Sequence, residues 1–332
     1  MRTKIPWTDR TWNPVTGCTP TSRACDRCYA KRMANRLAGR HGYDKDNPFK
    51  ITWHEDVIRQ PLTWRTPAKV FAISMGDLFH PDVPDEWIDK VMAIITLTPK
   101  HTYQILTKRP ERMLKYFSSE KEHLVDCWEA ASYEMGLADK DEDCDAPACH
   151  IFNRIEREWP LKNLWLGVTA EDQKRANLRI PLLLGTPAAI RFVSIEPMLG
   201  VINLRFLNPG SFTFFNALSG TVSDLDNRSL LTPRLDWVIC GGESGPKARP
   251  LYPRWVDIIR NQCYLSNTPF FFKSWGSYID MGEAAKMFNP ACRIDHTNLI
   301  PKYKVREYMK RTGVNIAFDL LDGKEYKEFP KI

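Results

Sequence analysis

Short apolar runs recur along the chain, and each ends abruptly in polar or glycine residues. They are Val70–Met75 (VFAISM), Thr102–Thr107 (TYQILT), Leu164–Thr169 (LWLGVT), Ile190–Glu196 (IRFVSIE), Asp236–Cys240 (DWVIC) and Pro269–Trp275 (PFFFKSW). Each has strand length and is rich in β-branched or aromatic residues. Their apolarity is continuous rather than alternating, which predicts strands buried on both faces. Helical patterns lie between them. Pro84–Leu97 places apolar residues at helical spacing after an Asp/Pro start, and Arg254–Cys263 is similar. Gln173–Leu184 is a poorer helix, which Pro181 is expected to break. Strands alternating with helices predict an α/β fold with a parallel sheet. Six clear strands, with a weaker one at Ile5–Trp7, favour a (β/α) barrel or partial TIM-like barrel; a doubly wound sheet is the alternative.

Two stretches interrupt this rhythm. Residues 118–160 are acidic, and residues 203–233 read as a looped insertion. Insertions of this length often cover an active face. The expected organisation is therefore a barrel over residues 1–276, with insertions at about 118–160 and 203–233, followed by a small α/β extension at 277–332.

Composition narrows the class. Of 332 residues, 43% are hydrophobic and 26% charged, which is ordinary for a globular chain. No apolar run is long enough to span a membrane, and the N-terminus carries no apolar export segment, so a cytoplasmic protein is expected. The net charge of +7 is compatible with a nucleic-acid partner or another anionic substrate. Nine cysteines in such a chain fit metal ligation plus free thiols better than disulfides.

The densest chemistry is the loop Gly17–Tyr29, which carries Cys18, Cys25 and Cys28 among Gly, Pro, Ser and Thr residues. A loop of closely spaced cysteines can wrap one iron–sulfur cubane, each thiolate taking its own iron. A structural zinc site normally needs four protein ligands, and no fourth lies nearby in sequence. Three ligands on four irons leave one iron open to a small molecule. A zinc site completed by a distant ligand, or three unrelated thiols, are the alternatives. Cys144, Cys149 and His150 form a weaker candidate for a second metal site.

In a β/α barrel the chemistry collects at the C-terminal ends of the strands. Here those ends carry Gly76 and Asp77, then Thr107, Lys108 and Arg109, then Glu171 and Asp172. Glu196, Gly241-Gly242-Glu243-Ser244 and Lys273 follow on the later strands. A glutamate before proline and a lysine within FFFKSW are costly to bury unless paired or functional. A shared functional mouth is the expectation.

The cluster at the start of a β/α chain resembles radical S-adenosylmethionine (radical SAM) enzymes, although the spacing here is six residues then two rather than three then two. The stretches IPWTDRTWNPVTGC, CDRCYA, SMGDLFH, YQILTKRP, WLGVT, RFVSIEP, WVICGGESGP and FFFKSWG further resemble a family of three-cysteine proteins from phages and bacterial mobile elements. The resemblance implies a [4Fe–4S] cluster on Cys18, Cys25 and Cys28, with S-adenosyl-L-methionine as cofactor. It implies that Gly76 and Asp77 meet the cofactor's amino group. Thr107 and Lys108, with Arg109, would face its carboxylate or a phosphate; Glu196 would hold ribose hydroxyls. Gly241 and Gly242 would offer backbone to adenine or substrate, and Lys273 and Glu243 would act on the substrate. A 5′-deoxyadenosyl radical would then remove a hydrogen atom from an unactivated carbon, with electrons from a flavodoxin or ferredoxin. The family context suggests a nucleotide or modified DNA base as substrate, for example in rearrangement of a hypermodified thymidine in the host cytoplasm. A zinc-stabilised nucleic-acid-binding protein, or a barrel hydrolase using Glu196, Glu243 and Asp77, are the other classes.

Overall fold

The computed structural model describes residues 3–137, 147–210, 213–223, 229–245, 247–280, 283, 299–301, 319–322 and 324–331. Seven parallel strands form its main sheet: β1 (Arg10–Trp12), β2 (Lys69–Ala72), β3 (Thr102–Thr107), β4 (Leu164–Thr169), β5 (Ile190–Ile195), β6 (Trp237–Gly241) and β7 (Phe270–Ser274). Their spatial order is their chain order, with every neighbouring pair parallel. A doubly wound sheet reverses direction at a switch point, and this one does not. With right-handed crossovers, sequential order puts the helices on one face and curls the sheet into a half-barrel. All six strong apolar runs are strands. The weaker run is not: Ile5–Trp7 forms no strand, and the edge strand starts three residues later at Arg10.

The longer described helices are α1 (Tyr29–Leu37), α2 (Asp85–Leu97), α3 (Pro110–Phe117), α4 (Lys121–Glu134), α5 (Pro147–Arg157), α6 (Gln173–Gly185) and α7 (Pro253–Leu265), with single turns at Glu55–Ile58 and Gln60–Thr63. Successive strand residues point to opposite faces, so each strand feeds two cores. Toward the helices, Val70, Ile105, Leu166, Val193 and Val238 pack with Ile88, Met92, Ile180 and Ile259. On the concave face, Phe71, Trp165, Phe192, Trp237, Ile239 and Phe271 form an aromatic core. Trp7 plugs it, with its ring 4.6 Å from that of Phe71. That burial is why Ile5–Trp7 reads as apolar although it is not a strand.

One further expectation is corrected. Helix α6 is not broken by Pro181, which lies inside it. Proline removes one backbone bond, and the buried Ile180, Leu183 and Leu184 around it hold the helix together. Within the first insertion, the described helices α4 and α5 pack on each other and on α2. The second contains a three-stranded antiparallel sheet, Phe214–Asn216, Thr221–Ser223 and Ser229–Leu231. Near the C-terminus, Tyr326–Glu328 runs antiparallel along the free edge of β7, where Phe272 N donates to Tyr326 O at 2.8 Å and Glu328 N to Phe270 O at 3.3 Å. An edge covered this way is unavailable to other strands. No helix among the described residues is long and apolar enough to cross a membrane.

Candidate functional site

The cysteine loop is hung on the end of β2. After β1, Val15–Thr16 pairs with Thr52–Trp53, and Gly17 then bridges Gly76 in parallel, its N–H donating to Met75 O at 3.0 Å. Gly17 has a φ of 93°, and a Cβ there would lie 2.0 Å from the carbonyl oxygen of Lys50. Only glycine suits both conditions. Gly17→Ala is expected to cost about 3 kcal/mol through the backbone clash and the left-handed strain, and to speed alkylation of Cys18. A denaturation midpoint equal to wild type would contradict this account of the loop.

The turn after β2 is equally constrained. Ile73 has a φ of 60°, an outlier for a β-branched residue, and is held by its N–H bond to Trp12 O at 2.7 Å. Asn13 Oδ1 accepts from Ser74 Oγ (3.1 Å) and Met75 N (2.9 Å). Asp77 is buried, its Oδ1 accepting from Thr107 Oγ1 at 2.7 Å and Phe79 N at 3.1 Å, and its Oδ2 from Lys108 N at 3.2 Å. Arg109 Nη1 lies 3.8 Å from Asp77 Oδ2 and also donates to Cys18 Sγ at 3.8 Å. Its Nη2 donates to the Thr19 carbonyl and hydroxyl at 3.2 and 2.8 Å. Arg109 thus clamps the first cysteine to the end of β3.

His80 completes this clamp. Its Nδ1 accepts from Asp82 N at 3.1 Å, so the ring proton lies on Nε2, which donates to Thr19 Oγ1 at 2.8 Å. Burial, aided by the Arg109 charge, holds its pKa below the ordinary histidine value and keeps it neutral.

Cys18, Cys25 and Cys28 all line one cavity of about 110 Å³, together with Tyr29, Lys31, Gly76, Asp77, Thr107, Lys108, Arg109 and Thr169. Phe71 and Leu106 also line it, so its floor is the top of the aromatic core. All three thiols are free. Burial and the Asp77 carboxylate push the Cys18 thiol up to about 12. At Cys25 burial acts upward too, but hydrogen bonds from Thr21 and Ser22 and the Lys108 charge outweigh it and bring the thiol below its usual value. Among the described residues, no three His, Cys, Asp or Glu side chains converge on a point where they could hold a single metal ion. A cubane asks for something different, because each thiolate binds a different iron and the sulfurs stand apart. Three free thiols around one cavity, with cations behind them, are a donor set that fits such a group.

The later strand ends form a second cluster that does not line this cavity. Lys273 Nζ lies 2.8 Å from Glu196 Oε1, and Ser194 Oγ donates to Glu196 Oε2 at 3.2 Å. The pair passes over Gly241, where a Cβ would come within 2.9 Å of Glu196 Oε1. Gly242 follows, its N–H donating to Ser274 O at 2.8 Å. Glu243 is held by Arg249, from Nη2 to Oε1 at 2.6 Å and from Nε and the backbone N to Oε2 at 3.0 and 2.8 Å. Arg27 adds a bond to Oε2 at 3.2 Å. One helical turn on, Arg32 Nη2 donates to Ser244 O at 3.0 Å. The cysteine loop and α1 therefore stretch across the mouth, from Gly76 after β2 to Glu243 and Ser244 after β6.

Of the residues singled out in the sequence, the fold thus gathers Cys18, Cys25, Cys28, Gly76, Asp77, Thr107 and Lys108 at one cavity. It puts Glu196, Gly241, Gly242, Glu243 and Lys273 beside it. Glu171 is fully buried with Arg179 at 2.9 Å. Arg27, Arg32, Asn13 and Arg249 tie the site together; Asn13 and Arg27 lie in the quoted motifs without an assigned role, and Arg32 and Arg249 lie outside them. Cys144 and the Cys149 side chain lie outside the described residues, and His150 is exposed on α5, far along the chain from the cysteine loop.

The fold and site define a protein with a partial β/α barrel whose mouth is spanned by a cysteine loop. The chain belongs to the family of proteins of unknown function DUF5131, whose profile matches residues 2–330. No curated protein and no solved structure matches it.

Proposed function

We propose that this protein is a radical SAM-type enzyme, with Cys18, Cys25 and Cys28 holding a [4Fe–4S] cluster and S-adenosyl-L-methionine completing the site. The observation that supports this most is three free thiols around one cavity at the C-terminal mouth of a parallel half-barrel. When bound, the cluster and S-adenosyl-L-methionine supply hydrogen-atom abstraction from an unactivated carbon.

The chain's own residues would position and shield. Gly76 lets the Gly17 backbone of the cysteine loop approach closely, since a Cβ there would lie 2.9 Å from Gly17 O. Asp77 already accepts three hydrogen bonds, so it holds the turn and Arg109 and keeps little capacity for an ammonium. Lys108 has no carboxylate partner among the described residues and suits the cofactor carboxylate or a phosphate. Glu196 and Lys273, balanced against each other, offer an acceptor and a donor to a polar substrate. Glu243 is occupied by Arg249 and Arg27, which suits anchoring rather than proton transfer. A nucleotide or modified DNA base is the proposed substrate, isomerised or rearranged, and a flavodoxin- or ferredoxin-type protein the proposed electron donor.

Air-free purification tests the reading. Iron and sulfide, a brown absorption band, and a paramagnetic signal after reduction that changes when S-adenosyl-L-methionine is added are the expected results. Zinc without iron would overturn it in favour of a zinc-stabilised binding protein. Activity surviving Cys18→Ala would instead favour hydrolytic chemistry at Glu196.

A further inference from the structure

We infer that α1 and the rim of the cavity dock a single-stranded nucleic acid, with Tyr29 as the platform on which one base stacks. The inference rests on the cavity being the reaction mouth, and it adds the polymer, the surface and the stacking residue.

Tyr29 follows Cys28 directly and lines the cavity. Its hydroxyl donates to Ser74 O. Yet the residue keeps 49% of its surface exposed. The ring is therefore pinned at one end and bare along its length. A bare, immobile aromatic ring at a polar mouth is what base stacking uses, and every base has a face to offer it.

The charges around it are unbalanced. Helix α1 reads YAKRMANRL, with no acidic residue. Lys31 and Arg36 are exposed, as is Arg40 just past the helix. Tyr29, Met33 and Arg36 follow one another at spacings of four and three, so they share a stripe, and Arg40 Nη2 donates to Arg36 O just beyond the helix. Lys31 and Lys108 flank the cavity, and neither has a carboxylate partner among the described residues. The nearby acids are engaged: Asp77 by Thr107 and Arg109, Asp26 by Arg249, Asp44 by Lys50, and Glu243 by Arg249 and Arg27.

A free mononucleotide would use the two cations at the mouth and leave the outer ones idle. The helix is about 14 Å long at about 1.5 Å per residue, which matches several nucleotides at about 3.4 Å each. A base held in a duplex cannot reach Tyr29 or the cavity without leaving its stack, so an unpaired strand is the form that fits. Exposed Met33 adds apolar surface to the same stripe.

The test is fluorescence anisotropy with a short labelled oligodeoxythymidine, on the full chain, with iron measured on the same preparation. Wild type is expected to bind at about 50 mM salt and to weaken steeply as salt rises. Lys31→Glu with Arg36→Glu should weaken binding by about tenfold or more and flatten the salt dependence. Tyr29→Ala should weaken it by about tenfold, and Tyr29→Phe should stay close to wild type because the ring face remains. Circular dichroism melts verify that the variants fold. Four results would overturn the inference: no oligonucleotide binding by wild type, indifference to the charge reversals, thymidine monophosphate binding as tightly as the oligomer, or phosphatidylglycerol vesicles captured in place of the oligomer. Loss of DNA binding with iron retained sinks this inference alone. DNA binding without any iron sinks the cluster and spares the docking surface.

Discussion

Replacing Cys28 with alanine is expected to abolish iron loading while the barrel stays folded. Cys28 is the cap residue ahead of α1, but its side chain accepts none of the helix's free N–H groups. It is half-buried, and the backbone bonds around it, Cys28 N to Cys25 O at 3.2 Å and Arg32 N to Cys28 O at 3.3 Å, survive substitution. The folding cost should therefore stay within about 1 kcal/mol, as for a half-buried residue without a special backbone role. The metal has no such tolerance, because two thiolates leave two irons of a cubane without protein ligands. Iron should fall from about four per chain to near zero, with loss of the charge-transfer absorption. The control is Cys127→Ala on α4, whose thiol contacts His123 at 3.7 Å in the outer layer. It should load iron normally. Undiminished iron in Cys28→Ala would place any cluster elsewhere and remove the basis of the proposed chemistry.

The strands were readable because the half-barrel buries both their faces, which leaves continuous apolar runs in the sequence. The same burial misplaces the first strand. Trp7 is as buried as any strand residue because it stoppers the aromatic core, while β1 itself, RTW, is short and half-polar. The first half of the site was readable because it is local: Gly17–Cys28, Ser74–Asp77 and Thr107–Arg109 are contiguous segments at strand ends. What joins them was not. Arg27 reaches Glu243 across 216 residues, and Arg32 reaches Ser244 across 212. An arginine in a basic stretch gives no sign of which carbonyl or carboxylate it will meet, since that depends on how the loop lies over the mouth. The six-residue spacing between Cys18 and Cys25 has a structural counterpart in this. Cys18 is fixed by the Gly17–Gly76 bridge and by Arg109, and Cys25 by a 3₁₀ turn at Arg23–Arg27, so the two need not be neighbours in one tight loop.

Glu243→Gln is expected to loosen that arrangement and lower stability by about 2–3 kcal/mol at neutral pH. Glu243 is 6% exposed at its side chain and accepts four hydrogen bonds from two arginines. Removing one partner of a buried pair costs about 3–5 kcal/mol, and the partial exposure of Arg249 and Arg27 reduces that figure. Burial pushes the Glu243 pKa up, but the bonds and charge of Arg249 and the bond from Arg27 prevail, so it lies below the ordinary 4.5. A lowered carboxylate pKa contributes stability above the unfolded value and loses it as pH falls through the folded one. Wild type and Glu243→Gln should therefore differ fully at neutral pH, begin to converge as pH falls below about 4.5, and meet once pH is under the lowered folded value. The variant also separates two roles for this residue. Arg249 Nη1 donates to Arg23 O at 2.9 Å, so the network fixes the turn that carries Cys25. An anchoring Glu243 predicts faster alkylation of Cys25 and poorer iron loading in the variant. A proton-transferring Glu243 predicts normal iron, normal alkylation and a dead enzyme. Because three hydrogen bonds from Arg249 and one from Arg27 occupy the carboxylate oxygens, the first pattern is the expected one.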